Sequence, residues 1–245
     1  MEAKKIIHDA FTHVTLMRQA AAEKPDLAQA IAGIKQFQAR RFAATYSDLL
    51  QSDRYRAAAL FFLDELYSDK DYSERDTQFA RIAGALERIF PQQVVQTAVS
   101  LAQLHHLTEE LDREMALHWM AHAGIPEVTR YVQAWRCVGR RADRNRQLTT
   151  VVEIGNELKR LTCTPGLRRM LKMMRGPARL AGMGALQKFL ESGFDTFAEM
   201  GRDPDGVAYF LATVMARETD LISQLSDANI VTCETKIQRL LGQPQ

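Results

Sequence analysis

The sequence predicts an all-α protein, a compact multi-helix bundle of about ten helices. Apolar residues recur every three to four positions along most of the 245-residue chain, as on one face of a helix. Pro and Gly stand where these runs begin or end, and no run alternates as a strand would. The chain is long enough to bury a core without disulfides. We expect a single helical domain over residues 1–245, with a candidate soft joint near residues 162–166 between two sub-bundles.

The N-terminal part of the chain predicts three helices. The first carries an apolar stripe over residues 6–17 that stops before Pro25. Proline suits the first turn of a helix, so Pro25 opens the second, whose apolar side continues to Leu49. Ser52 or Asp53 is the expected N-cap of the third, which contains the run RYRAAALFFLDELY.

The middle of the chain predicts four more helices. Ser73 and Asp76 have the spacing of a capping box and open one of them. Pro91 opens a long helix that Gly124 can end, and Pro126 starts the next, which runs towards Arg141. A further helix follows to about residue 162.

The C-terminal part predicts a turn, a basic helix and three further helices. Residues 164–166 read Thr-Pro-Gly, which is typical of a turn. The helix LRRMLKMMR follows, and Gly176-Pro177 should break or redirect it. The segment 185–200 is helical, residues 201–206 form a loop, and two amphipathic runs complete the chain.

The positive charge is unevenly spread, although the formal net charge is only +2. Residues 130–179 hold thirteen Lys or Arg and three acids, a charge of +10, which leaves −8 for the remainder. This separation favours an anionic partner, an intramolecular counterface or a homo-oligomer contact.

Cysteine usage and hydropathy favour a cytoplasmic protein. The three cysteines share no close spacing, so they predict reduced thiols rather than disulfides or a metal site. The N-terminus lacks the apolar core and cleavage site of a signal peptide. No apolar run is long enough to predict a transmembrane helix.

Two stretches carry a family resemblance. The first is an FF-x3-LY element followed by an Arg-Asp pair at residues 75–76, and the second is LQKFLE at residues 186–191. Together they resemble an uncharacterised family of bacterial, mainly proteobacterial, all-helical proteins. The resemblance implies a bacterial, soluble, helical protein. That family has no established activity, so the resemblance assigns no site.

One histidine cluster suggests a metal or haem site. Glu114, His118 and His122 are spaced i, i+4, i+8, so a helix projects them from one side. Such a set can share a metal with an open coordination position, or approach a haem iron. The alternative is that these are hydrogen-bonded or interface histidines on a packed helix.

A basic element suggests a partner-binding surface. Its cations are Arg168, Arg169, Lys172, Arg175 and Arg179, beside a neighbouring apolar stripe. They can contact phosphates, an anionic lipid surface or an acidic helix. The alternative is a surface helix packed on its Leu/Met side.

Aromatic residues suggest an apolar pocket. Phe61, Phe62 and Tyr67 lie on one predicted helix, and Phe189 can join them across the core. The alternative is that they only fill the core.

The leading functional hypothesis is a non-enzymatic binding protein whose partner is another protein or a second copy. It depends on the charge separation, the Met-rich amphipathic helices and the lack of a catalytic motif. The runner-up is a metal- or haem-using helical-bundle oxidoreductase centred on Glu114, His118 and His122. The third hypothesis is binding of a nucleic acid or anionic lipid through residues 130–179.

Overall fold

The computed structural model describes residues 2–242 and confirms the all-α class. Thirteen helices and no strand lie in this part of the chain. They are α1 (Glu2–Ala22), α2 (Pro25–Thr45), α3 (Ser47–Gln51), α4 (Arg56–Glu65), α5 (Ser73–Ile89), α6 (Gln92–Ala121), α7 (Glu127–Val138), α8 (Arg141–Thr162), α9 (Leu167–Met173), α10 (Arg175–Leu180), α11 (Gly184–Met200), α12 (Gly206–Asp227) and α13 (Ile230–Leu241). The predicted count of about ten is close to this number.

The additional helices come from interruptions inside predicted ones. The predicted second helix is divided at Tyr46 into α2 and α3. Tyr46 has no exposed surface, and its hydroxyl donates to Glu218, a contact that the local pattern does not show. The predicted basic helix is divided at Met174, and Pro177 then falls in the first turn of α10, where a missing N–H is tolerated.

Two predicted N-caps are wrong. The helix expected to start at Ser52 or Asp53 begins at Arg56, and its N-cap Tyr55 makes no capping bond through its side chain. The helix with the predicted capping box begins at Ser73, so Ser73 is its first residue and not its N-cap, and the amide of Ser73 donates to the carboxylate of Asp71 at 2.9 Å. The sequence spacing alone did not show that Ser73 pairs with the carboxylate of Asp71 and not with that of Asp76.

The described residues divide into two compact units. The first unit contains residues 2–15, 70–106 and 150–212, and the second contains residues 16–69, 107–149 and 213–242. The segment 162–166 lies wholly within the first unit. This division does not test whether the chain is a single domain or whether residues 162–166 form a soft joint, so both stay predictions.

The first unit has a core built from α1, α5, α6 and α11. Its buried side chains include Phe11, Phe79, Leu86, Val99 and Leu186. The rings of Phe11 and Phe79 lie 5.0 Å apart between centroids. A second, smaller cluster, which includes Leu167 and Leu171, anchors α9.

The second unit has an aromatic core. Phe37 stacks on Tyr131 with the ring centroids 4.2 Å apart, and Phe42 stacks on Tyr67 at 4.6 Å. Ring pairs of this kind add about 0.5–1.5 kcal/mol each beyond the area that they bury. These contacts join α2 to α7 and to the segment after α4, where Tyr67 lies.

None of the described helices combines the length and the apolar character that crossing a bilayer requires.

Candidate functional site

The predicted basic element forms an exposed surface of the first unit. Leu167, Leu171 and Ala178 are the buried residues of α9 and α10 and hold these short helices on the core. All five predicted cations are exposed. Burial on one side therefore leaves the charged side of residues 167–180 in solvent. We call residues 167–180 the α9–α10 surface.

Two of the five cations are engaged within the unit. Arg168 forms an ion pair with Asp195 at 2.7 Å between Nη2 and Oδ1. Arg175 donates from Nε to Glu191 at 2.6 Å, and this hydrogen bond lowers the pKa of the Glu191 carboxyl below its ordinary value. These two guanidinium groups fasten α9 and α10 to α11.

The other three cations of the surface are Arg169, Lys172 and Arg179. None of them forms a hydrogen bond or ion pair with a side chain that the structure describes, although the charge of Lys172 also helps to lower the pKa of Glu191. They are available to carboxylates of another molecule.

Large apolar side chains stand among these charges. Met173 is 72% exposed and Leu180 is 93% exposed. Both exceed the exposure of every other large apolar residue that the structure describes, of which Val231, at 69%, comes next. Isolated exposed apolar residues are ordinary, but their place between cations gives this surface a mixed character that suits a protein contact.

The remaining charge of residues 130–179 is largely used inside the fold. Arg140 lies 2.7 Å from Glu114 and 3.0 Å from Glu110, and hydrogen bonds, led by that to Glu110, raise the pKa of its guanidinium. Arg136 donates from Nε to the carbonyl oxygen of Leu225 at 3.0 Å. Such arginines connect helices within the second unit, so the sequence count overstates the charge available to a polyanion.

Of the predicted metal-binding residues, Glu114 and His118 lie on α6 and His122 lies in the turn directly after its end; all three are half-buried. Glu114 accepts the hydrogen bond from Arg140, and Nδ1 of His122 lies 2.8 Å from the carbonyl oxygen of His118. Among the side chains that the structure describes, no three His, Cys, Asp or Glu residues are grouped as metal ligands would be. The geometry therefore adds no support to the metal or haem hypothesis.

The predicted pocket aromatics are distributed over both units. Phe62 is buried in the second unit, where Tyr67 stacks on Phe42. Phe189 belongs to the first unit and packs against its core, with the guanidinium of Arg75 4.7 Å from its ring centroid. These contacts are core packing.

Sequence reasoning missed a buried polar network in the second unit. Arg41 of α2 donates to Glu218 of α12 at 2.5 Å, and Tyr46 donates to the same oxygen at 2.9 Å. Burial, the largest single cause, pulls the pKa of Arg41 down. The charge and hydrogen bond of Glu218, together with the nearby hydroxyls of Tyr67 and Tyr131, outweigh it, so the net shift is upward. Burial, followed by Glu218, raises the pKa of Tyr46. Arg41 and Tyr46 therefore keep their protons at neutral pH, and Arg41 forms a buried ion pair with Glu218.

A second buried carboxylate lies in the same unit. Asp112 of α6 accepts from Nε2 of Gln38 at 3.0 Å. Burial raises its pKa, which Lys35 and Arg144 lower only partly. One signal was present in the sequence, because Gln38 and Arg41 fall on the predicted apolar face of α2. Polar residues at buried positions usually have a buried partner.

Comparison with curated proteins gives no match, and neither does comparison with solved structures. A family model described as a domain of unknown function, DUF8198, matches residues 17–230. The match covers most of the chain and both units, and it agrees with the resemblance to an uncharacterised all-helical family. The chain belongs to the DUF8198 family.

Proposed function

We propose that this protein is a non-enzymatic binding protein whose α9–α10 surface docks an acidic segment of a partner protein. One observation carries the proposal. Met173 and Leu180 are 72% and 93% exposed among Arg169, Lys172 and Arg179, which make no ion pair with a described side chain. A partner segment with carboxylates around one or two apolar side chains matches both properties. The free thiols of the chain suit a reducing compartment, so we place the interaction in the cytoplasm.

The arrangement favours a protein over a membrane. An amphipathic helix that binds a bilayer inserts its apolar face. Here Leu167, Leu171 and Ala178 occupy that face and are buried in the core. Two exposed apolar side chains on short helices are few for lipid insertion, whereas methionine adapts well to a protein surface.

The arrangement also favours a protein over a nucleic acid. Binding to nucleic acid depends on many phosphate contacts. Arg168 and Arg175 already pair with carboxylates of α11, which leaves three cations on this surface. No exposed aromatic stands between them to stack on a base.

A photo-crosslinking experiment tests the proposal. p-Benzoylphenylalanine is placed at position 173 of the full chain, and at position 231 as a control of similar exposure, which is 69% for Val231. We expect a protein adduct at position 173 and not at position 231. Equal adducts at both positions, or adducts only with lipid or nucleic acid, would contradict the proposal.

Charge reversal tests the role of the three cations. The variant combines Arg169→Glu, Lys172→Glu and Arg179→Glu. The control combines Lys24→Glu, Lys236→Glu and Arg239→Glu, which changes the net charge equally at exposed positions of the second unit. We expect the first variant to lose the adduct at position 173 and the control to keep it. An adduct that both variants keep would exclude charge recognition.

A further inference from the structure

A cleft in the second unit combines positive charge with an apolar lining. It has a volume of about 190 Å³ and lies between α1, α2 and α6. Its lining consists of Met17, Arg18, Ala21, Ala22, Ala28, Ile31, Lys35, Glu109 and Arg113. Three of these side chains are cationic and one is anionic, so the lining carries a net positive charge.

The one carboxylate of the lining is shared by two cations. Nη2 of Arg18 lies 2.8 Å from Oε1 of Glu109, and Nζ of Lys35 lies 2.7 Å from the same oxygen. The side chain of Glu109 is only 9% exposed, and that of Lys35 is 16% exposed. Glu109 therefore holds Arg18 and Lys35 in place but does not neutralise the cleft.

The third cation has an unsatisfied donor. Arg113 follows Glu109 by one helical turn on α6, and its buried Nε has no hydrogen-bond partner. The guanidinium of Arg113 also has no carboxylate partner among the described side chains, so an anion in the cleft that Arg113 lines would supply its counter-ion. Asp112 precedes Arg113, but its carboxylate is turned to Gln38.

The rest of the lining sets the size and polarity of a ligand. Met17, Ala21, Ala22, Ala28 and Ile31 offer only apolar surface. An apolar cavity of roughly 150 Å³ holds a molecule as large as benzene, so this cleft fits about six carbon atoms. Small side chains leave room for a flexible chain and present no polar group to it.

We propose that this cleft binds a linear monocarboxylate of about six carbons. The carboxylate accepts from Arg113, and the cations of Lys35 and Arg18 neutralise its charge. The alkyl chain lies on the alanines and on Ile31. The proposal is independent of the proposed protein docking, because the α9–α10 surface belongs to the first unit.

Hexanoate is the probe, titrated into the ¹⁵N-labelled full chain and followed by amide chemical shifts. We expect saturable shifts around the cleft and a Kd in the millimolar range or tighter, as suits so small a ligand. Hexan-1-ol lacks the charge and acetate lacks the chain, so each should bind at least about tenfold more weakly. Equal shifts with acetate would indicate an adventitious anion site and overturn the proposal.

Two variants distinguish the cleft from general charge. Arg113→Met should weaken hexanoate binding at least about tenfold, while Arg239→Met, at an exposed position of α13, should leave it within about twofold. Ala28→Phe keeps every charge and fills the apolar end, so it should abolish binding. Circular dichroism confirms that each variant is folded. Equal binding by wild type, Arg113→Met and Ala28→Phe would refute the site.

Discussion

The buried pair of Arg41 and Glu218 allows the sharpest prediction about stability. Their side chains are 5% and 8% exposed, so water screens the pair very little. Removing one partner from a buried pair typically costs about 3–5 kcal/mol, because the other charge stays buried and uncompensated. We expect this cost for Arg41→Met and at least as much for Glu218→Leu, which also deprives Tyr46 of its acceptor.

The double variant should be more stable than the sum of its parts. Replacing a buried ion pair by apolar side chains of similar volume is often neutral or stabilising. The hydroxyl of Tyr46 then loses its acceptor and that of Tyr67 loses its hydrogen bond to Arg41, at a cost of about 1–3 kcal/mol each. The free energy of unfolding of Arg41→Met with Glu218→Leu should therefore fall by less than the costs of the two single variants added together, which gives a coupling energy of a few kcal/mol between the two sites.

Urea unfolding followed by tryptophan fluorescence measures these free energies. Trp119 and Trp135 both belong to the second unit, as the ion pair does, so the signal reports on the correct part of the molecule. Tyr46→Phe serves as the control for the lost hydroxyl bond. Additive costs in the double variant, or a cost below about 1 kcal/mol for Glu218→Leu, would refute a coupled buried pair.

Three further predictions concern buried contacts elsewhere. Burial raises the pKa of Asp112 above its ordinary 3.8, so the stability that its neutral form provides at low pH is lost as the pH rises through the folded-state pKa. The free energy of unfolding of Asp112→Asn should therefore rise relative to that of wild type as the pH rises from about 4 towards neutrality, measured by urea unfolding at several pH values. A difference from wild type that does not change with pH would contradict this. A Cβ on Gly155 would meet Cδ2 of buried Leu211 at 2.6 Å, so Gly155→Ala should lower the free energy of unfolding by about 1–3 kcal/mol. Gly176→Ala is the control, because no atom lies within 4 Å of the added Cβ; it should stabilise the protein by up to about 1 kcal/mol in thermal unfolding. The side chain of Gln78, which is 3% exposed, accepts a hydrogen bond at 2.8 Å from the amide of Leu186 in the first turn of α11. Gln78→Leu should therefore lower the free energy of unfolding by about 1–3 kcal/mol and speed hydrogen exchange at the Leu186 amide. Unchanged exchange at that amide would argue against the bond.

Local chemistry made most of the fold predictable from the sequence. Pro25 starts α2 as predicted. The helix predicted to run towards Arg141 ends earlier, at Val138, where Gly139 adopts a φ of 73° that a residue with a Cβ rarely adopts. The interruption at Tyr46 was not predictable, because it accompanies a contact with Glu218, 172 residues away. Hydrophobic periodicity indicates which face of a helix is buried, but it does not indicate which residues of other helices pack against that face.

The candidate surface was predicted in part. The cations of α9 and α10 are exposed, as a basic amphipathic pattern indicates. The sequence did not show that Arg168 and Arg175 are paired, since Asp195 and Glu191 lie 27 and 16 residues away. Likewise the spacing of Glu114, His118 and His122 suggested ligands, whereas Glu114 contacts Arg140 of a distant segment.

The composition of the partner segment tests the central claim most directly. The measurement is mass spectrometry of the peptide that crosslinks to position 173. Charge complementarity predicts a protein segment rich in Asp and Glu that also holds an apolar residue at the crosslink. A crosslinked peptide that is basic or uncharged would contradict the account.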